Sequence, residues 1–190
     1  MLDCHFELCA ERLESAQAAE AGGADRIELC TELSIGGLTP PFDLVRAAVK
    51  SVSIPVHVLI RTRSGDFSPT EAEFGQMRRQ VEMAKQAGAA GVVLGILHTD
   101  RHVDIERTGA LVEEAYPMGA TFHRAFDESP DLGASLEAVI RTGVDCLLTS
   151  GGEPNVLAGA DSIRRLREQA AGRLNLIAGG VALRSKPFPK

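Results

Sequence analysis

One local pattern recurs along the chain. An alanine-rich amphipathic run ends at a glycine, and a short β-prone run follows. The clearest copies are RLESAQAAEAGGADRIELC (12–30), EFGQMRRQVEMAKQAGAAGVVLGIL (73–97) and GASLEAVIRTGVDCLLTSGG (133–152). SIRRLREQAAGRLNLIAGG (162–180) is a weaker fourth. Glycine after a helix supplies the left-handed turn that lets a short loop lead into a strand. Adding the β-prone runs 6–9, 55–60 and 119–126 gives seven strands, with a helical run after each of the first six. Strict βα alternation implies right-handed parallel crossovers. Runs such as GVVLGIL and DCLLTS are apolar almost throughout, as strands covered on both faces are.

The pattern predicts an α/β fold of the TIM (β/α)8-barrel type. A doubly wound sheet is the alternative, but no GxGxxG follows the first strand. A complete barrel usually needs at least ~200 residues. This sequence has 190 and ends in ALRSKPFPK, a poor helix or strand former. The expectation is a single barrel-like domain over 1–181, cut short after its seventh strand, and an irregular basic tail over 182–190.

Composition excludes some functions. The net charge is −6, there is no Trp and there is one Tyr. That argues against nucleic acid, which needs a basic face and stacking aromatics. No window reaches the ~18 apolar residues of a membrane span. MLDCHFELCAERLESA has no basic segment before an apolar run, so it does not read as a signal peptide. A cytoplasmic protein with reduced thiols is expected. Cys4, Cys9, Cys30 and Cys146 form no CxxC pair.

In such barrels the active site gathers where the strands end. Here they end FELC, IELC, HVLIRTRSGDF, GILH, TFHRAFD, LLTSGG and IAGGV. Glu, Cys, Arg, His and Asp crowd one rim. Glu7 and Cys9 stand two apart, as do Glu28 and Cys30, so each pair shares a strand face. Soft thiolates from Cys9 and Cys30 would select Cu(I); equally, either cysteine can be a small buried hydrophobe. Cys146 reads as core.

Arg61, Arg63 and Asp66 sit in a glycine-containing loop. They suit either a bound carboxylate or phosphate, or a plain surface ion pair. Ser150, Gly151, Gly179 and Gly180 lie in glycine turns whose N–H groups could hold phosphate. In TFHRAFD, strand alternation would place Thr121, His123 and Ala125 on one face, and Phe122, Arg124 and Phe126 on the other. His123 or Glu28 could then be a general base. Arg124 and Asp127 could pair with each other or help bind substrate.

Taken together, FELC, ESAQAAEAGGADRIELC, GGLTP, IPVHVLIRTRSGDF, TFHRAFD and LLTSGG resemble the CutC copper homeostasis family, in order and spacing, from about residue 6 to residue 181. The resemblance implies a TIM barrel that forms a homo-oligomer and handles copper in the cytoplasm. Its proposed copper ligands would fall on Cys9 and Cys30. Two departures stand out. RTRSGDF replaces the usual RPRGGDF, keeping Arg61, Arg63, Gly65 and Asp66. The family chain also continues past strand seven. Two functional expectations follow: a Cu(I)-binding homeostasis protein, or a barrel lyase or isomerase acting on a small phosphorylated or carboxylated metabolite.

Overall fold

The structure is a computed structural model that describes residues 5–180. Cys4 and the expected tail over 182–190 lie outside the described residues. Seven strands alternate with six helices in this order: β1 (Glu7–Ala10), α1 (Leu13–Ala21), β2 (Arg26–Leu29), α2 (Phe42–Ser51), β3 (Val56–Leu59), α3 (Glu71–Ala87), β4 (Gly91–Leu94), α4 (Ile105–Ala115), β5 (Gly119–Phe122), α5 (Leu132–Arg141), β6 (Cys146–Thr149), α6 (Ala160–Ala170) and β7 (Asn175–Ala178). Short 3-10 helices interrupt the loops at Leu33–Ile35 and Arg124–Glu128. All neighbouring strands pair in parallel, in sequence order. The sheet is therefore a curled, open barrel wall of the expected class. Among the described residues no strand joins β7 back to β1.

Local chemistry sets the boundaries. Thr70 and Glu73 form a reciprocal capping box that starts α3, and Gly88 ends it at a φ of 84°. Asp104 and Asp131 accept the N-terminal amides of α4 and α5. The strands are shorter than the apolar runs suggest, because each run bends into its loop after four residues.

The wall has two unlike faces. Ile27, Leu29, Val58, Val92, Leu94, Phe122 and Leu147 point outward. There they join Ala16, Ala48, Val81, Leu111, Leu136 and Leu166 from the helices in one apolar core. Each large side chain buried there contributes about 1.5–3 kcal/mol. The inner face is different. Cys30, Leu59 and Val93 form a separate small cluster, surrounded by polar residues. Period-two alternation puts Glu7, Cys9, Glu28, His57, Thr121 and Cys146 on that side. Cys146 is buried, but it is absent from the outer core and faces the polar interior near Arg26.

Candidate functional site

The two thiols come from adjacent strands. Cys9 pairs in register with Glu28 of β2, and Cys30 follows Glu28 by two, so all three share the inner face. Cys30 lies just past β2, with its N–H donating to Ala10 O at 3.0 Å. Cys9 is exposed and Cys30 buried. Desolvation, then Glu28, Cys30 and Glu7, pushes the Cys9 thiol well above its usual range. Burial, then Glu28 and Glu11, pushes Cys30 up to about 12.

Below them lies a polar interior with unmet hydrogen-bonding capacity. Glu7 holds Arg26 at 2.5 Å. Glu28 is 7% exposed, and its Oε2 has no partner. Burial, then the Glu7 charge, lifts its carboxyl to about 8. His57 pairs in register with Glu28 and lies across β4, where a Cβ on Gly91 would stand 2.4 Å from its ring. Burial, then Arg26, lowers His57 to about 4. Its Nδ1 and Thr121 Oγ1 are also buried without partners. Sequence reasoning missed His57 and Thr121 as members of this interior. The signal was there in PVHVLI, where an alternating His breaks an otherwise apolar strand.

TFHRAFD resolves differently from an extended strand. β5 ends at Phe122, and the chain tightens into the 3-10 helix. The expected alternation of Thr121, His123 and Ala125 therefore stops at His123. Ala125 and Phe126 are both buried. His123 caps the turn: its Nδ1 accepts the Ala125 N–H at 3.3 Å. Burial, then the Arg61 charge, lowers its pKa to about 3. A neutral imidazole whose Nδ1 accepts carries its proton on Nε2. As held here, His123 is a hydrogen-bond donor rather than a free base.

Asp127 ties the turn to β6. Its carboxylate accepts from Ser150 N at 3.0 Å, Gly152 N at 3.0 Å, Ser150 Oγ at 3.0 Å and Arg124 Nε at 2.9 Å, and from the Thr149 hydroxyl. Burial opposes its ionisation, but these bonds outweigh burial and hold its pKa below the usual range. Gly151 N–H donates to Thr149 Oγ1. Of the amides that sequence reasoning offered to a phosphate, Ser150 N already serves the Asp127 carboxylate, Gly151 N the Thr149 hydroxyl and Gly179 N the Thr149 carbonyl. Gly179 and Gly180 act by close approach. A Cβ on Gly179 would meet Leu148 at 2.3 Å, and one on Gly180 would meet Arg124 at 3.1 Å.

The arginine loop divides in two. Arg63 uses five donor contacts on Glu73, Asp66, Ser64 and Ser68, so it staples its own loop together with Asp66. Arg61 crosses to the neighbouring loop, donating to Gly65 O at 2.8 Å and, at 3.4 Å, to Ile35 O and Gly37 O. Its guanidinium lies over the Phe67 ring at 4.6 Å, and the His123 ring is 4.9 Å from the same ring, tilted by 57°. The expected rim thus splits into a thiol corner at β1–β2, an Arg61–His123 corner at β3–β5 and a self-satisfied Arg124–Asp127–Ser150 knot at β5–β6. No hydrogen bond links Glu28 with His123 among the described residues.

A parallel βα barrel wall with thiols and cationic groups at its strand ends defines a class: the TIM-barrel-like proteins whose chemistry sits at the C-terminal rim. Within that class the sequence model of the CutC family matches residues 4–186, and the chain belongs to that family. It is 45% identical over 180 residues to a family protein CutC of Vibrio campbellii, covering 94% of this chain and 73% of the relative. It is 45% identical over 175 residues to the human copper homeostasis protein cutC homolog, covering 92% of this chain and 64% of that protein. The CutC crystal structure from Streptococcus agalactiae superposes with a TM-score of 0.86 at 28% identity, covering 90% of this chain and 85% of that one.

Proposed function

We propose that the protein binds Cu(I) as cargo through Cys9 and Cys30. The supporting observation is the placement of two thiols on one inner face at the ends of adjacent strands, one exposed and one buried. An ion can reach Cys9 from solvent and be drawn toward Cys30. The donor set suits a soft ion: no group of three or more His, Cys, Asp or Glu side chains able to hold a metal occurs among the described residues. Zinc asks for four ligands and calcium for six or more oxygens. Cu(I) is satisfied by two thiolates, and soft sulfur selects it. Free thiols belong to a reducing compartment, so this reading places the protein in the cytoplasm.

An anaerobic Cu(I) titration against a competing chelator tests this on wild type and on Cys9→Ser/Cys30→Ser. The expected result is one equivalent bound tightly, lost in a variant whose circular dichroism is unchanged. Equal binding by both proteins would sink the reading. The pair Glu28 and His123 gives the enzyme reading less support, because the fold keeps them in separate corners.

A further inference from the structure

The stretch after β2, TELSIGGL (31–38), turns back on itself before α2 begins. Thr31 and Leu38 close its base, each N–H donating to the other's carbonyl, at 2.9 and 2.7 Å. Within the loop, Ile35 and Gly37 donate to Glu32 O, and Gly36 donates to Leu33 O, so it holds its own shape. Glu32, Gly36 and Gly37 take left-handed φ values of 54°, 91° and 85°. Compact surface loops with their ends close together are frequently functional.

The inner side of this loop lies on Cys30. A Cβ on Gly37 would stand 3.7 Å from the Cys30 Sγ and 2.7 Å from Leu59. Leu59 and Val93 pack against Cys30 from β3 and β4, which are paired on both sides. The fully buried thiol is thus enclosed by two fixed strands and one loop. The loop is the loosest of the three. Glu32 to Gly36 are exposed, and the 3-10 helix within it buries none of its side chains. Side-chain bonds tie it to the wall. Leu33 N–H donates to the Glu11 carboxylate at 2.6 Å. Arg61 donates to Ile35 O and Gly37 O at 3.4 Å each, against 2.8 Å to Gly65 O. A segment with few buried apolar contacts opens at lower free energy than the strands beneath it.

We infer that the Thr31–Leu38 loop is a gate over Cys30, latched by Glu11 and Arg61, which opens locally while β1 and β2 stay paired. The purpose of the gate rests on the copper reading, in which an ion held at exposed Cys9 has to reach a thiol with no exposed surface. Gly37 is the contact that lifts. Cys30 itself stays in place, because its N–H is bonded to Ala10 O of β1.

The test is iodoacetamide labelling of the copper-free full chain, read peptide by peptide by mass spectrometry. Below the unfolding transition the Cys30 rate should rise with urea at no more than about a quarter of the dependence of global unfolding, because that slope scales with the surface exposed. Circular dichroism supplies the global value. Glu11 also acts on Cys30 through its charge, so two variants are compared. Glu11→Gln removes the charge and keeps an acceptor for the Leu33 N–H, whereas Glu11→Ala removes both. Cys30 should label about fivefold faster in Glu11→Ala than in Glu11→Gln, the loss of one hydrogen bond. Cys9, already exposed, should label alike in the two. Cys30 labelling with the full urea dependence of global unfolding would overturn the gate, and that result needs no variant. Equal Cys30 rates in the two variants would overturn it as well. Copper enters neither measurement, so a failed gate and a failed copper titration are told apart.

Discussion

At the scale of single residues, the barrel interior is notable for titratable groups held in their neutral forms. Glu28 is lifted from 4.5 to about 8, while His57 and His123 are lowered from 6.5 to about 4 and about 3. Their effects on stability have opposite signs. Below pH 6.5 the unfolded chain takes up protons at both imidazoles that the folded chain refuses, so stability rises with pH. Between 4.5 and 8 the folded chain keeps a proton on Glu28 that the unfolded chain has lost, so stability falls with pH. Two rising contributions outweigh one falling until the imidazoles are spent. Unfolding free energies from urea melts across a pH series should therefore peak near pH 6.5 and decline by roughly 0.5–0.8 kcal/mol per pH unit toward 8, because the imidazoles still titrate there and Glu28 begins to ionise. In Glu28→Gln that decline should disappear. A decline that persists would mean that groups other than Glu28 cause it.

At the scale of elements, loops on this rim are held by side chains that the sequence offers as ligands. Asp127 binds the turn after β5 to the loop after β6, across 22 to 25 residues of chain. Asp127→Ala would leave the Ser150 and Gly152 amides and the Arg124 guanidinium without their acceptor. Loss of roughly 3 kcal/mol is expected, as for other buried charge-assisted networks. Urea denaturation checks this, and a loss below 1 kcal/mol, roughly the worth of an exposed ion pair, would show that solvent replaces the bonds. Arg63 is a comparable staple within its own loop. An arginine or aspartate in a strand-end motif is read from sequence as a binding group, because its partners are not visible there. Only the partner count separates Arg63, which is fully engaged, from Arg61, which is not.

For the molecule as a whole, the outer face carries the stability and the inner face carries the polar chemistry. β2 through β6 are paired on both sides, whereas β1 and β7 each have one neighbour among the described residues. β7 is flanked by exposure at Asn175 and Ala178. Hydrogen exchange should follow that gradient. Amides of β3 and β4 are expected to open only with global unfolding, and those of β7 by local opening at lower free energy. Equal protection across all seven strands, read by mass spectrometry, would show that something covers the β7 edge.

Much of this architecture was legible in the residues themselves. Glycine-stopped helices followed by apolar runs dictate βα alternation, because helix and strand periods and the left-handed turn are local properties. The family resemblance rested on contiguous motifs for the same reason, as did the placing of Glu7 with Cys9, and of Glu28 with Cys30, on one strand face; the register that sets Cys9 beside Glu28 came from the sheet. The tertiary structure alone decided which polar residues are spent on the fold and which are left with unmet bonds. His57 reaches across Gly91, Asp127 takes amides of the Ser150 loop, and the Phe67 ring meets His123 at a tilt. Each of those contacts joins different strand–loop segments. Whether a buried polar atom is satisfied depends on distance and direction in space, and a linear sequence carries neither.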